Sequence, residues 1–229
     1  DNSGNMYVAG NTVISETNRD YLLIKYNSEG KYLWSRTYSG PKNGNDTIRD
    51  LYVDVNGNAY VTGSSQDAKK NYNAVTVKYD ANGNEIWAAR YSEGLHTSIH
   101  GIRIIVDENS NVFVAGTFIS NDVHDCILLK YDANGNLLWK RTYNGTGNGY
   151  DDATALGISP DMNSVYMGAF LYEAVGGYNF SILNFNTDGS LNWLSSYKGP
   201  GNAAEIIYDL TVDKYGFIYA CGTGESKQF

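Results

Sequence analysis

Apolar and polar residues alternate along this chain with a period of two. In Tyr21–Tyr26, Leu22, Ile24 and Tyr26 alternate with Tyr21, Leu23 and Lys25, so both faces carry bulk. A sheet covered on both sides reads this way, whereas a one-sided sheet turns a polar face outward. No 3.6-residue stripe persists over about 10 residues, so no helix is predicted. Residues 46–98 resolve into four short runs rich in Val, Ile, Thr, Tyr and Trp: Asp46–Asp54, Ala59–Gly63, Asn73–Tyr79 and Glu85–Tyr91. Such runs suit a pleated, packed surface and are read as strands a, b, c and d.

The four-strand pattern recurs. Tryptophans stand at Trp34, Trp87, Trp139 and Trp193, spaced by 53, 52 and 54 residues. Strand b closes on a glycine five times, at Gly10, Gly63, Gly116, Gly168 and Gly222. A lysine precedes the last aromatic of strand c at Lys25, Lys78 and Lys130, with Asn184 in the fourth slot. Three columns that keep one spacing define a repeat of ~53 residues. Four-stranded units repeated at about 40–50 residues indicate a β-propeller, because one blade cannot cover both of its faces alone. The fold class is therefore all-β, a propeller of four-stranded antiparallel blades. The tryptophan and glycine columns are assigned to the structural core between blades. The lysine stems are expected to lie on aromatic rings with the charge reaching water.

The joints a–b and c–d carry Asp-x-Asn-Gly-Asn at Asp54–Asn58, Asp80–Asn84 and Asp132–Asn136, with variants at Asp1–Asn5 and Asp107–Asn111. Asn-Gly reaches positive φ cheaply and closes tight hairpins. A calcium loop of the EF-hand kind needs Gly at position 6 and Glu at position 12. Here Gly is fourth and Arg90 lies near the Glu position, so the motif is read as a turn.

These units resemble the SBBP-type β-propeller repeat, in DTIRDLYVDVNGNAYVTG from Asp46 and KYDANGNLLW from Lys130. The resemblance spans essentially the whole chain. It implies a bacterial secreted or surface protein without a shared catalytic site. The third unit departs from the pattern, with Ile99 in place of the opening Asp and Arg103 in place of Asp50.

The strands do not close a ring. Strand b occurs five times and a, c and d four times each. The expected division is 1–45 (strands b–d of a first blade), 46–98, 99–150, 151–204 and 205–229 (strands a–b of a last blade). Four to five blades are visible, and the chain is expected to be part of a larger propeller. A nearly closed five-blade ring and a ring completed by another chain are the alternatives. The first residue is Asp rather than Met and no signal peptide is present, so the ends are expected to be cut or processed.

Composition narrows the partners. The 229 residues hold 17 Lys and Arg against 25 Asp and Glu, a net charge of −8. That charge lacks the basic footprint of nucleic-acid binding. Hydrophobic residues at 42% exclude a disordered chain. No apolar run approaches the ~18 residues of a membrane helix, so no membrane insertion is expected. Cys126 and Cys221 fall in strand slots and are read as buried free thiols. Sequons stand at Asn45, Asn144 and Asn179. Three His leave few metal ligands, and neither metal nor cofactor is expected. His96 and His100 have helical metal spacing on a segment read as loop and strand, so the pair fails as a site.

Alternating strand direction places the a–b and c–d turns on one face and the variable b–c and d–a loops on the other. Loops on a rigid scaffold carry recognition. The b–c loops are read as Asn11–Asp20, Ser64–Tyr72, Thr117–Asp125 and Ala169–Tyr178. Ligand-binding candidates on this face are His96, Tyr150, Tyr172 and Tyr178. An acidic column, Asp46, Asp151 and Glu205, opens strand a, with Asp50 and Asp209 further along. Strand a lines a propeller's channel, so these carboxylates are candidates to ring its mouth. The alternative is a set of carboxylates capping backbone N–H groups between blades. The function expected is a non-catalytic extracellular or cell-surface scaffold that binds a protein or glycan through its loop face. The rivals are a lectin of tachylectin-like size, a surface-layer or filament subunit that self-associates through exposed terminal strands, and a carboxylate-dependent hydrolase or lyase using a pair such as Asp151 and Asp152. No Gly-x-Ser-x-Gly, His-Glu-x-x-His or phosphate-binding loop supports the last.

Overall fold

The structure, a computed structural model, describes residues 1–15, 18–41, 44–199 and 204–224. They form 17 strands in five antiparallel sheets, with no helix among the described residues. The first sheet holds β1 (Met6–Ser15), β2 (Asn18–Tyr26) and β3 (Tyr32–Tyr38). The second runs β4 (Asp46–Val53), β5 (Ala59–Gln66), β6 (Tyr72–Tyr79), β7 (Glu85–Tyr91). The third runs β8 (Thr97–Val106), β9 (Val112–Ser120), β10 (Val123–Tyr131), β11 (Leu137–Tyr143), and the fourth β12 (Asp152–Ile158), β13 (Ser164–Glu173), β14 (Gly177–Asn186), β15 (Leu191–Tyr197). The last holds β16 (Ile206–Val212) and β17 (Ile218–Thr223). Each strand pairs with its sequence neighbour, as in propeller blades. Among the described residues the first sheet has three strands, without a strand a, and the last has two, without c and d, so the sheets do not form a closed ring.

The core lies between sheets. Tyr21 and Leu23 of the first sheet meet Val61, Val75 and Val77 of the second. Tyr60 and Ala74 meet Ile104, Val114 and Leu129 of the third, and Phe113, Ala115 and Leu128 meet Leu156, Met167 and Leu183 of the fourth. Burying both faces of each middle sheet explains why strand c is bulky on both sides.

Every strand a carries a register shift at one place: between Ile48 and Asp50, Gly101 and Arg103, Ala153 and Ala155, Ile207 and Asp209. A bulge adds twist and bends the strand. Just before the shift in the second, third and fifth sheets, strand a presses on the glycine column. A Cβ on Gly63, Gly116 or Gly222 would lie 2.0, 1.8 or 2.0 Å from the carbonyl oxygen of Thr47, His100 or Ile206. Gly10 faces no strand a and has nothing within 4 Å. Gly168 corrects the sequence reading: Val165 pairs with Phe185 as Val112 pairs with Tyr131, so Ala169 holds the column slot and Gly168 stands one residue early.

The tryptophans sit at the outer rim of the seams. Trp34, Trp87 and Trp139 are half-buried beneath Gly83, Gly135 and Gly189 of the next c–d turn. Their Nε1–H groups donate to Ala81, Ala133 and Thr187. Arg36 and Arg141 lie over Trp34 and Trp139 and donate to Gly83 and Gly189. Trp193 departs from the expected core column: it is 40% exposed, because β16 and β17 supply no outer strands to cover it. The lysines do lie over Tyr7, Tyr60 and Phe113. Lys25 departs from expectation: it is buried and its tip donates to Ala81, while the tip of half-buried Lys130 donates to Thr187. Burial lowers the pKa of both. Cys126 is buried and free, and burial pushes its thiol well up. Cys221 is exposed, contrary to expectation, because β17 is an uncovered edge.

Candidate binding face

The two ends of the blades differ in chemistry. At the turn end, Asp54, Asp80, Asp107 and Asp132 each accept two backbone N–H groups on Oδ1 and an Asn amide on Oδ2. Gly57, Gly83 and Gly135 take φ of 79°, 80° and 82° and close each turn. The side-chain hydrogen bond from Asn84, with backbone N–H groups, holds Asp80 below the usual carboxylate range, and Asn136 does so for Asp132. Each of these carboxylates accepts three hydrogen bonds from its own turn. Among the described residues, no cluster of three or more His, Cys, Asp or Glu has the arrangement to hold a metal.

The loop end is shorter on loops than the sequence implied. The segments read as b–c loops are largely strand: β5 extends to Gln66, β9 to Ser120 and β13 to Glu173. The polar residues beyond each glycine keep the pairing going, and turns such as Asp67–Asn71, with Lys70 at φ 66°, close the hairpins. The d–a connections are the loops proper.

The acidic column is internal to this end. Asp46 and Asp151 are fully buried and accept the backbone N–H groups of Gly40 and Gly145 in the d–a loops. Asp151 also accepts from Tyr172 N. Glu205 is buried too, with its N–H donated to Tyr178 O. Of the two readings of this column, the capping one holds for Asp46 and Asp151, and the ring of open carboxylates does not: Asp46, Asp151 and Glu205 are all buried and none faces solvent. Burial raises the pKa of Asp46 and Asp151, with the N–H bonds opposing. Asp50 accepts from Leu51 N and, across the seam, from Ile104 N. Burial raises its pKa, while those hydrogen bonds and Arg103 oppose. Asp209 accepts from Leu210 N. Arg103 reaches Tyr208 O, 105 residues away, so the departure at Arg103 ties the third sheet to the fifth.

Next to the column lies a feature the sequence reading missed. Seven residues before the aromatic that ends strand c stand Arg19, Tyr72, His124 and Tyr178. Each meets the start of the following blade. Arg19 bridges Asn45 and His124 bridges Tyr150, both in parallel, while Tyr72 N donates to Ser98 Oγ. The Glu205–Tyr178 bond described above completes the series. The constant offset from Tyr26, Tyr79, Tyr131 and Phe185 was the available signal. It was hidden because the residues in the slot differ from blade to blade.

The structure brings three candidates together here. Tyr150 is 50% exposed and stands edge-on to His124, with centroids 4.4 Å apart. Tyr172 and Tyr178 meet at a tilt of 55°, with centroids 5.0 Å apart. The glycine-rich loop closes on Tyr172: a Cβ on Gly147 or Gly149 would lie 2.5 or 2.4 Å from its ring. His96 stands apart, exposed at φ 63°, on a cavity of about 380 Å³ shared with Asn71, Ile119 and Asp122. His100 packs on Tyr72, and burial lowers its pKa. Of the sequons, Asn144 is exposed and Asn179 is buried in β14.

Asp125 follows His124 and has a buried Oδ1 without a partner. Burial pushes its pKa up, with His124 opposing. A raised folded pKa gives stability that is complete below the unfolded value and is lost as pH rises through the folded one. The same slot holds Asn73 and Asn179 in the neighbouring blades. Asp125→Asn is therefore expected to raise the melting temperature near neutral pH by about 1–3 °C. It should have little effect at about pH 3, where the carboxyl is already neutral; thermal melts across that range check it.

Comparison with known proteins agrees with this architecture. A stretch of 131 residues is 32% identical to an uncharacterized WD repeat-containing protein of Acanthamoeba polyphaga mimivirus, covering 51% of this chain and 9% of that one. The chain thus spans under a tenth of that relative. Among solved structures, the Dos1 propeller superposes with a TM-score of 0.54 at 13% identity, over 89% of this chain and 49% of that one. A puromycin hydrolase gives 0.57 at 10%, over 96% and 34%. A lignostilbene dioxygenase from Pseudomonas brassicacearum gives 0.51 at 10%, over 95% and 55%. At such identities the likeness is one of fold. Residues 36–68, from the outer strand of the first sheet through strand b of the second, match the SBBP family, a beta-propeller repeat, in keeping with the blade-like sheets described above.

Proposed function

We propose that the chain is a non-catalytic scaffold that binds one protein partner through the loop-end seams. The observation that carries this reading is the seam slot. The slot meets the start of the next blade at every seam, while its side chain runs Arg19, Tyr72, His124 and Tyr178. A lectin with one sugar site per blade needs the same side chains in each. Arg, Tyr, His and Tyr in succession on one rigid row suit a single asymmetric partner, with exposed Tyr150 and its aromatic neighbours as the anchor. The WD-repeat relative supports an interaction role. The solved relatives include enzymes, but at their identities the likeness carries no activity to this chain. An extracellular or cell-surface setting is part of the proposal and rests on the SBBP resemblance.

A photocrosslinker placed at position 150 is expected to give discrete protein adducts, and one at Asn82 on the turn end none. Saturable binding on a glycan array, lost in Tyr150→Ala, would transfer the site to a sugar. Adducts of equal yield from both positions would remove the loop end as the binding face.

A further inference from the structure

One arginine departs from the repeat. Arg90 stands three residues after Trp87, in a slot filled by Thr37, Thr142 and Ser196 after the other tryptophans. Its neighbour departs as well: Ser65, opposite Asp46, stands where the next two sheets hold bulky Phe118 and Leu171. Arg90 donates from Nη1 to Ser65 O and from Nη2 to Ser65 Oγ. A guanidinium carries five N–H groups, so three are left over. The half-buried head forms no ion pair: among the described residues no carboxylate oxygen lies within 4.0 Å of it. The buried carboxylate of Asp46 does not account for it. Asp151 is equally buried in the same place of the fourth sheet, with Ser196 in the arginine slot.

Arg90 lines a cavity of about 360 Å³ at the loop end, shared with Pro41, Gly94 and Leu95 of the d–a loops and with the turn at Asp67. That size is within the range of small-ligand clefts. Lys69 lines it too, exposed and without an ion pair among the described residues. The oxygens of Asp67 already accept from Lys69 N, Asn71 N and the Asn71 amide. Pro41, Ala68 and Leu95 give the cavity an apolar part, and buried Asn73 a polar one. We propose that this cavity is a carboxylate site: Arg90 receives the two oxygens side by side, Lys69 adds a second positive charge, and the apolar lining takes the carbon chain. The planar fork of arginine matches a carboxylate in two parallel hydrogen bonds. A phosphate dianion fits less well, because its second charge would meet Asp67. The carboxylate belongs either to a free small acid or to a Glu or Asp side chain of the protein partner proposed above, and only the second source rests on that reading.

The test follows the backbone amide resonances of Lys69, Gly94 and Leu95 in the isotope-labelled full chain during titration with sodium butyrate, with ionic strength held constant by sodium chloride. Saturable shifts in the millimolar range are expected, as a ligand of so few atoms allows. Butyramide, the uncharged counterpart, should give none. Arg90→Thr installs the side chain that the first and third sheets carry in this slot, and should weaken butyrate about tenfold. Lys69→Gln, on an exposed side chain outside the core, should weaken it about threefold. A blocked Ala-Glu-Ala peptide that binds as tightly as butyrate identifies a partner's side chain as the source. A peptide that is shut out while butyrate binds identifies a free acid. Shifts that grow without saturation overturn the proposal, as do equal binding of butyramide, tighter binding of inorganic phosphate, or an affinity that neither substitution changes. Each of these outcomes leaves the crosslinking at position 150 unaffected, so this site and the binding face fail separately.

Discussion

Gly116→Ala is expected to destabilise the protein by about 3 kcal/mol, while Gly10→Ala in the equivalent slot of the first sheet changes little. The added methyl on Gly116 would stand 1.8 Å from the His100 carbonyl oxygen and 2.9 Å from its carbon. Both are backbone atoms of β8, which is held between β9 and the adjoining blades, so no side chain can swing aside. The bulge after Gly101 fixes how closely β8 runs past β9. Gly10 lacks this neighbour, because the first sheet has no strand a. Urea unfolding of the two variants checks the pair: the midpoint of Gly116→Ala should fall well below that of the parent, with Gly10→Ala close to it. Equal losses would show that chain flexibility, not the approach of strand a, sets the need for glycine.

Trp87→Ala should cost about 3 kcal/mol, and Trp193→Ala no more than about 1. The two residues hold the same place in the repeat and differ in what lies over them. Trp87 is roofed by Gly135, bonded to Ala133 and set edge-on to Tyr60. Removing it leaves a gap in the seam and strips the Ala133 carbonyl of its donor. Trp193 touches Tyr166 in its own sheet, with no following hairpin to lose. Calorimetric melting of both variants decides the matter. A matching loss at Trp193 would mean that packing within a blade, not between blades, dominates.

Much of the architecture was legible because the repeat is written in residues with strict backbone or packing demands. The Trp and Gly columns and the Asp-x-Asn-Gly-Asn turns each have one good structural solution, so their spacing gave the strand count. The hidden parts depend on neighbours in space. The bulge in strand a leaves no composition signal. Whether Asp46 and Asp151 opened to a channel or capped Gly40 and Gly145 depended on loop geometry. The lengths of β5, β9 and β13 were underestimated because strand ends on this face are polar. Tyr150, Tyr172 and Tyr178 stand out individually in the sequence, but the meeting of Tyr150 with His124 depends on the parallel bridge across the seam. Trp193 was misplaced because a column in sequence does not say whether the next blade is complete.

The corner turns carry a practical consequence. Asp80 and Asp132 hold their loops with three hydrogen bonds each, none of which involves the exposed side chains of Asn82 and Asn134. An anchor, dye or fused domain installed at those two asparagines would perturb neither the blades nor the opposite rim. Immobilising the molecule there would present the other rim to solution in one orientation.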